Sequence, residues 1–141
     1  MLKAIPRSKA TTAWGLLQDV KRAIQEEPKR ADMSTFIEER RPEDGGPACG
    51  TVGCIAGWIC LLRKGKAGVF PASGQAASIL GYQLNYETVP NVFDSFVFNA
   101  GSGDACERTA PGTKAHANAI IARINRFMKI NQKALKARKL P

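Results

Sequence analysis

Three cysteines lie close together in the segment PACGTVGCIAGWICLL, residues 47–62. A thiol at a helix start has a lowered pKa and becomes a nucleophile when a histidine serves as its base. Cys49 sits just before a predicted helix and Cys54 in its first turn, and His116 is the single histidine of the chain. Cys49 or Cys54 with His116 is therefore a candidate dyad for a cysteine-dependent hydrolase. The competing interpretation is that this segment is simply the densest part of the core.

The same residue types could also hold zinc, which prefers four ligands, commonly in short-spaced pairs. Cys49, Cys54, Cys106 and His116 are the residues that could converge, but C-x2-C spacing is absent. Each of them also suits a structural role, since free cysteine is among the most often buried residues. No phosphate-binding loop or pair of carboxylates suitable for acid–base catalysis stands out either. The pattern therefore favours a non-enzymatic protein without a metal or cofactor.

The positive charge of the chain is concentrated at its carboxyl end. The net charge is +9, yet Lys and Arg balance Asp and Glu from Met1 to Glu107, twelve against twelve. From Arg108 to Pro141 there are nine Lys and Arg residues and no acidic residue. A charge distribution of this kind indicates attraction to something acidic: nucleic acid, an anionic membrane surface or an acidic protein.

A last helix, predicted from about Thr113 to Ala137, has an apolar arc and a basic arc. One arc is apolar and would be buried: Ala117, Ile120, Ile121, Ile124, Phe127, Met128 and Leu135. We call the roughly opposite arc the basic face; it comprises Arg126, Lys129, Lys133 and Lys136, with Arg123 at its edge. These five residues are the candidate binding residues, because a row of Lys and Arg can line a phosphate backbone. Residues 129–141 are expected to form a basic carboxyl-terminal helix end or tail. The alternative to binding is a solvated face and a frayed tail.

The remaining elements are predicted from hydrophobic periodicity and from capping residues. An amphipathic helix is expected from about Thr12 to Glu27, with Thr11 or Thr12 as its cap and Pro28 at its end. A short second helix is expected within residues 31–41, capped by Asp32 or Ser34, with Met33, Phe36 and Ile37 buried. A further short helix is expected from about Ser73 to Leu80, closed by Gly81.

The cysteine-rich segment itself predicts a buried central helix, because it is apolar on every side. Thr51 would cap this helix, and it would end at about Lys64, where RKGKAG supplies a basic last turn and a glycine. Gly53 and Gly57 weaken such a helix, so another backbone should approach closely there. The fold class is therefore mainly α, a compact small domain around this helix, with a minor β-hairpin within residues 82–98 as an open alternative to irregular structure.

A single domain over residues 1–141 is expected from the length of the chain. The amino-terminal residues lack the apolar block of a signal peptide, and no segment approaches the length of a membrane span. We therefore expect a cytoplasmic protein with no membrane partner.

CGTVGCIAGW, at residues 49–58, resembles the signature C-G-T-x-x-C-I-A-G-W of uncharacterised small proteins from bacteria and their phages. DMSTF at 32–36 and ARINRF at 122–127 match further parts of that pattern. A tryptophan–proline pair typical of the group is replaced here by VPNVFDSF. The resemblance assigns no catalytic residues; it implies a bacterial or phage origin and favours a small protein that binds and inhibits a host factor.

Overall fold

The computed structural model describes residues 7–32, 37–39, 43, 51–65, 76, 78–81, 109–110 and 112–140. These residues are mainly helical, as predicted. In chain order the elements are α1 (Ala13–Glu26), a 3-10 turn (Pro28–Arg30), β1 (Ile37–Glu39), β2 (Thr51–Gly53), α2 (Ile55–Lys64), α3 (Lys114–Ile130) and α4 (Gln132–Ala137). Residues 76 and 78–80 are also helical. The β-hairpin considered for residues 82–98 lies outside the described residues.

Helix α1 forms where the sequence predicts it. Its cap is Thr12, whose Oγ1 accepts a hydrogen bond from the Gly15 N–H at 3.1 Å. Its buried face consists of Ala13, Leu16, Leu17, Val20 and Ile24. The helix ends before Pro28, and the chain then makes the 3-10 turn.

Helix α2 is shorter than predicted, because residues 51–53 form a strand and the helix begins only at Ile55. Its cap is Cys54 and not Thr51: the Cys54 Sγ accepts from the Gly57 N–H at 3.4 Å. The carboxyl end agrees with prediction, since Gly65 adopts φ 78° and closes the helix after the basic residues Arg63 and Lys64.

The prediction of a second helix is wrong at Ile37–Glu39, which form strand β1. This strand pairs antiparallel with β2, in the register Ile37 with Gly53 and Glu39 with Thr51. Ile37, Thr51 and Val52 are β-branched, a type favoured in strands, and this preference prevails over the short helical pattern. Met33, Phe36 and Ser34 lie outside the described residues.

Gly53 is one of the two glycines at which another backbone was expected to approach closely. Its carbonyl accepts from the Asp32 N–H at 3.0 Å, and it pairs with Ile37 in the sheet and with Ala31 in an isolated bridge. Two backbones therefore approach Gly53, as expected, although it lies in a strand and not in a helix.

The predicted last helix is two helices separated at Asn131. The buried Asn131 side chain donates from Nδ2 to the Phe127 carbonyl at 3.1 Å. Hydrogen bonds of helical spacing still cross this junction, from Asn131 N–H to Phe127 O and from Leu135 N–H to Asn131 O. The helical hydrogen-bond pattern therefore continues from α3 into α4.

One core joins these helices. All of the residues predicted for the apolar arc of the last helix are buried, and they share this core with the buried face of α1 and with Ile55, Trp58 and Ile59 of α2. Helix α1 packs against α2, α3 and α4. It thus links the cysteine-rich segment to the basic carboxyl end.

Candidate functional site

Cys54 is fully buried and acts as the cap of α2. A nucleophilic thiol must be reached by its substrate, and this one is enclosed by core residues. Cys60 is also buried and free, and burial raises the pKa of its thiol, partly offset by the charge of Lys64. A raised pKa keeps this thiol protonated and unreactive.

His116 lies in the first turn of α3 with its side chain buried. Its Nδ1 hydrogen-bonds with Thr109 Oγ1 at 3.1 Å, and its backbone N–H donates to Thr113 Oγ1, the cap of the helix. This environment is that of a histidine satisfied within the core. Cys49, the other candidate nucleophile, lies outside the described residues, so a dyad of Cys49 with His116 stays a prediction.

The metal alternative gains no support. Within the described parts of the chain, no group of three or more His, Cys, Asp or Glu residues is placed to hold an ion. Cys49 and Cys106 fall outside those parts.

The basic face is exposed along α3 and α4. Arg126 and Lys129 in α3, and Lys133 and Lys136 in α4, are all exposed, while the opposite arc is buried. The helices that carry the face are fixed by the core, so these four cations have a defined arrangement.

Arg123 does not belong to this exposed surface, contrary to its predicted place at the edge of the basic face. Only 6% of the residue is accessible. In an ideal helix it lies about 60° from Ile120 and thus beside the buried arc, in agreement with its low exposure. The exposed candidate residues are therefore Arg126, Lys129, Lys133 and Lys136.

The residues after α4 do not form a frayed tail. The Arg138 carbonyl accepts from Ala13 N–H and the Leu140 N–H donates to Thr11 O, both at 2.9 Å. The Arg138 guanidinium donates to the carbonyls of Ser78 and Ile79 at 3.2 and 3.5 Å. The positive charge at Arg138 therefore holds the end of a helical turn, a role the sequence did not indicate.

Carboxylates do not neutralise the basic face in the part of the chain that the structure describes. The ion pairs found there involve residues 19–30: Asp19 with Arg22 inside α1, and Glu26 and Glu27 with Arg30. The carboxylates of Asp19, Glu26 and Glu27 therefore pair with cations close to them in sequence and not with the basic face.

Helix α1 places Trp14 and Lys21 beside the basic face, and neither residue is among those predicted from the sequence. Lys21 donates from Nζ to Asn125 Oδ1 at 2.7 Å, and the Lys136 ammonium lies 4.7 Å from the centre of the Trp14 ring. Trp14 and Lys21 are seven residues apart in α1 and therefore lie on similar sides of the helix. This spacing is the sequence feature that could have identified them.

No protein-family model, curated protein or solved structure matches this chain. Within the described residues, every helix is too short or too polar to cross a bilayer.

Proposed function

We propose that this is a non-enzymatic binding protein of bacterial or phage origin that engages nucleic acid or an acidic protein through its basic face. It would act in the cytoplasm, and in that of the host if a phage encodes it. Inhibition of a host factor is the form of this activity that the CGTVGCIAGW resemblance favours.

One observation carries the proposal: Arg126 and Lys129 of α3 and Lys133 of α4 are exposed on helices that pack on the core. The ion pairs of the described residues involve Asp19, Glu26 and Glu27 with other cations. Unpaired cations on a common face repel one another, which disfavours the free protein slightly. A polyanion relieves that repulsion and releases its own counterions on binding. The arrangement therefore suits a partner with regularly repeated negative charge.

The proposal is tested by titrating the purified protein into labelled mixed-sequence DNA, RNA and polyglutamate, and following fluorescence anisotropy over a series of salt concentrations. We expect binding to at least one polyanion, with log K falling linearly as log salt rises. Absence of binding to all three at low salt would contradict the proposal. Binding that does not weaken with salt would contradict it as well, because the basic face would not be the source of the affinity.

A further inference from the structure

Polar side chains and the Trp14 indole line the boundary between α1 and α3–α4, and we call this surface the seam. Among the described residues, Lys21 contacts Asn125 and Lys136 contacts Trp14 across it. On α1, Gln18 lies one turn from both Trp14 and Lys21 and is half-buried like them. On the other side, Lys129 and Gln132 lie between Asn125 and Lys136 at helical spacing, and both are exposed.

The chemistry of the seam differs from that of a surface made only of charge. It combines the lysines 21, 129 and 136 with amide side chains and the face of an indole. Asp19, the acid of α1 nearest to it in sequence, is occupied by Ser8 Oγ and Arg22. The lysines alone would suit either phosphates or carboxylates. The indole face beside them favours nucleic acid, because bases stack on aromatic rings and the carboxylates of an acidic protein do not.

We propose, resting on the proposed function above, that the seam binds a single strand of nucleic acid. The phosphates contact Lys21 and Lys129, and one base stacks on Trp14 in place of the Lys136 ammonium, which is then free to bind a phosphate. Unpaired bases stack on aromatic rings in single strands, whereas the bases of a duplex are already stacked on each other. In the free protein the Lys136 ammonium covers the Trp14 ring, because a cation is attracted to the π face of an indole.

Fluorescence gives a direct test, since the chain has two tryptophans and Trp58 is fully buried. We expect oligo(dT) to quench the emission of the native protein by stacking on Trp14, and a duplex of equal length to quench it much less. In Trp14→Phe the quenching is lost, while the remaining Trp58 keeps its buried emission and reports that the fold is intact.

Affinity provides the second readout. Trp14→Ala should weaken oligo(dT) binding about tenfold or more, whereas Trp14→Phe, which keeps an aromatic ring, should change it less. Lys21→Gln and Lys129→Gln should each lower the magnitude of the slope of log K against log salt by about 0.7, the value for one phosphate contact in a single strand. Lys29→Gln, at an exposed lysine of the 3-10 turn, is the matched control and should leave the slope unchanged.

The outcomes separate the two proposals. If oligo(dT) binds but Trp14→Ala and Trp14→Phe both retain native affinity and quenching, the seam is not the site, while a basic-face polyanion binder survives. Tighter binding of polyglutamate than of oligo(dT) overturns the choice of nucleic acid. Failure of every polyanion to bind overturns the proposed function itself.

Discussion

The backbone N–H of Ala13, the first residue of α1, donates to the carbonyl of Arg138, one residue beyond the end of α4. The bond is 2.9 Å long and satisfies one of the N–H groups that a helix start leaves without a partner inside the helix. The two ends of the described chain are thereby joined, and the basic face is held against α1.

Truncation after Ala137 should therefore destabilise the whole domain and not merely shorten a tail. It removes the Ala13–Arg138 and Leu140–Thr11 backbone bonds, each contributing about 1 kcal/mol, together with the packing of Leu140 on the core. We expect the free energy of unfolding to fall by about 2 kcal/mol or more in urea denaturation followed by circular dichroism. Arg138→Ala keeps both backbone bonds and should cost less; equal stability of the truncated and native chains would contradict the anchored carboxyl end.

Trp58→Phe should be more destabilising than Trp14→Phe. The Trp58 indole donates to the Arg30 carbonyl at 2.9 Å from a fully buried position, so phenylalanine leaves that carbonyl without this donor. The expected loss is about 1 to 3 kcal/mol. Trp14 is half-buried and serves as the matched control in the same denaturation assay. A Trp58→Phe variant as stable as Trp14→Phe would show that the indole bond contributes nothing.

Thiol accessibility tests whether the cysteine segment is interior. With Cys54 and Cys60 buried, native protein treated with iodoacetamide at neutral pH should remain unmodified at both residues, as read by peptide mass spectrometry. Both should be alkylated in urea, which is the internal control. Rapid modification of Cys54 in the native protein would instead support an accessible nucleophile and the hydrolase alternative.

The buried Cys60 thiol should also make the folded protein less stable in alkali. Burial raises its pKa above the ordinary value of 9.0, so the unfolded chain releases this proton at a lower pH than the folded chain. Between the two pKa values the unfolded state binds fewer protons, and stability falls by up to about 1.4 kcal/mol per pH unit. Urea unfolding measured at successive pH values should show a steeper decline above 9 for the native chain than for Cys60→Ala. Parallel curves for the two proteins would rule out this contribution.

Periodicity and capping chemistry were sufficient where a helix buries one face. The extent of α1, its Thr12 cap, the glycine end of α2 and the buried arc from Ala117 to Leu135 all follow from local sequence. In these segments the 3.6-residue repeat and the cap agree with each other, so local and tertiary preferences coincide.

The errors occur where a distant partner decides the outcome. The sequence predicts that residues 51–53 begin an apolar helix, but they form a strand that pairs with β1. Arg123 is predicted at the edge of the basic face, but it is buried. Arg138 is predicted to lie in a basic helix end or tail, but its guanidinium donates to the carbonyls of Ser78 and Ile79. The seam likewise depends on which helix packs beside α3, and no single-helix pattern specifies that neighbour.

The most direct test of the central claim is charge reversal on the basic face. Arg126→Glu, Lys129→Glu and Lys133→Glu together change the net charge from +9 to +3, since each reversal removes two charges. The exposed lysines 9, 29 and 64 provide a control variant with the same three reversals and the same net charge on other elements. At low salt we predict that the basic-face variant binds the polyanion about tenfold or more weakly than the control variant. Equal binding by the two variants would contradict the account, because net charge alone, and not this face, would then attract the partner.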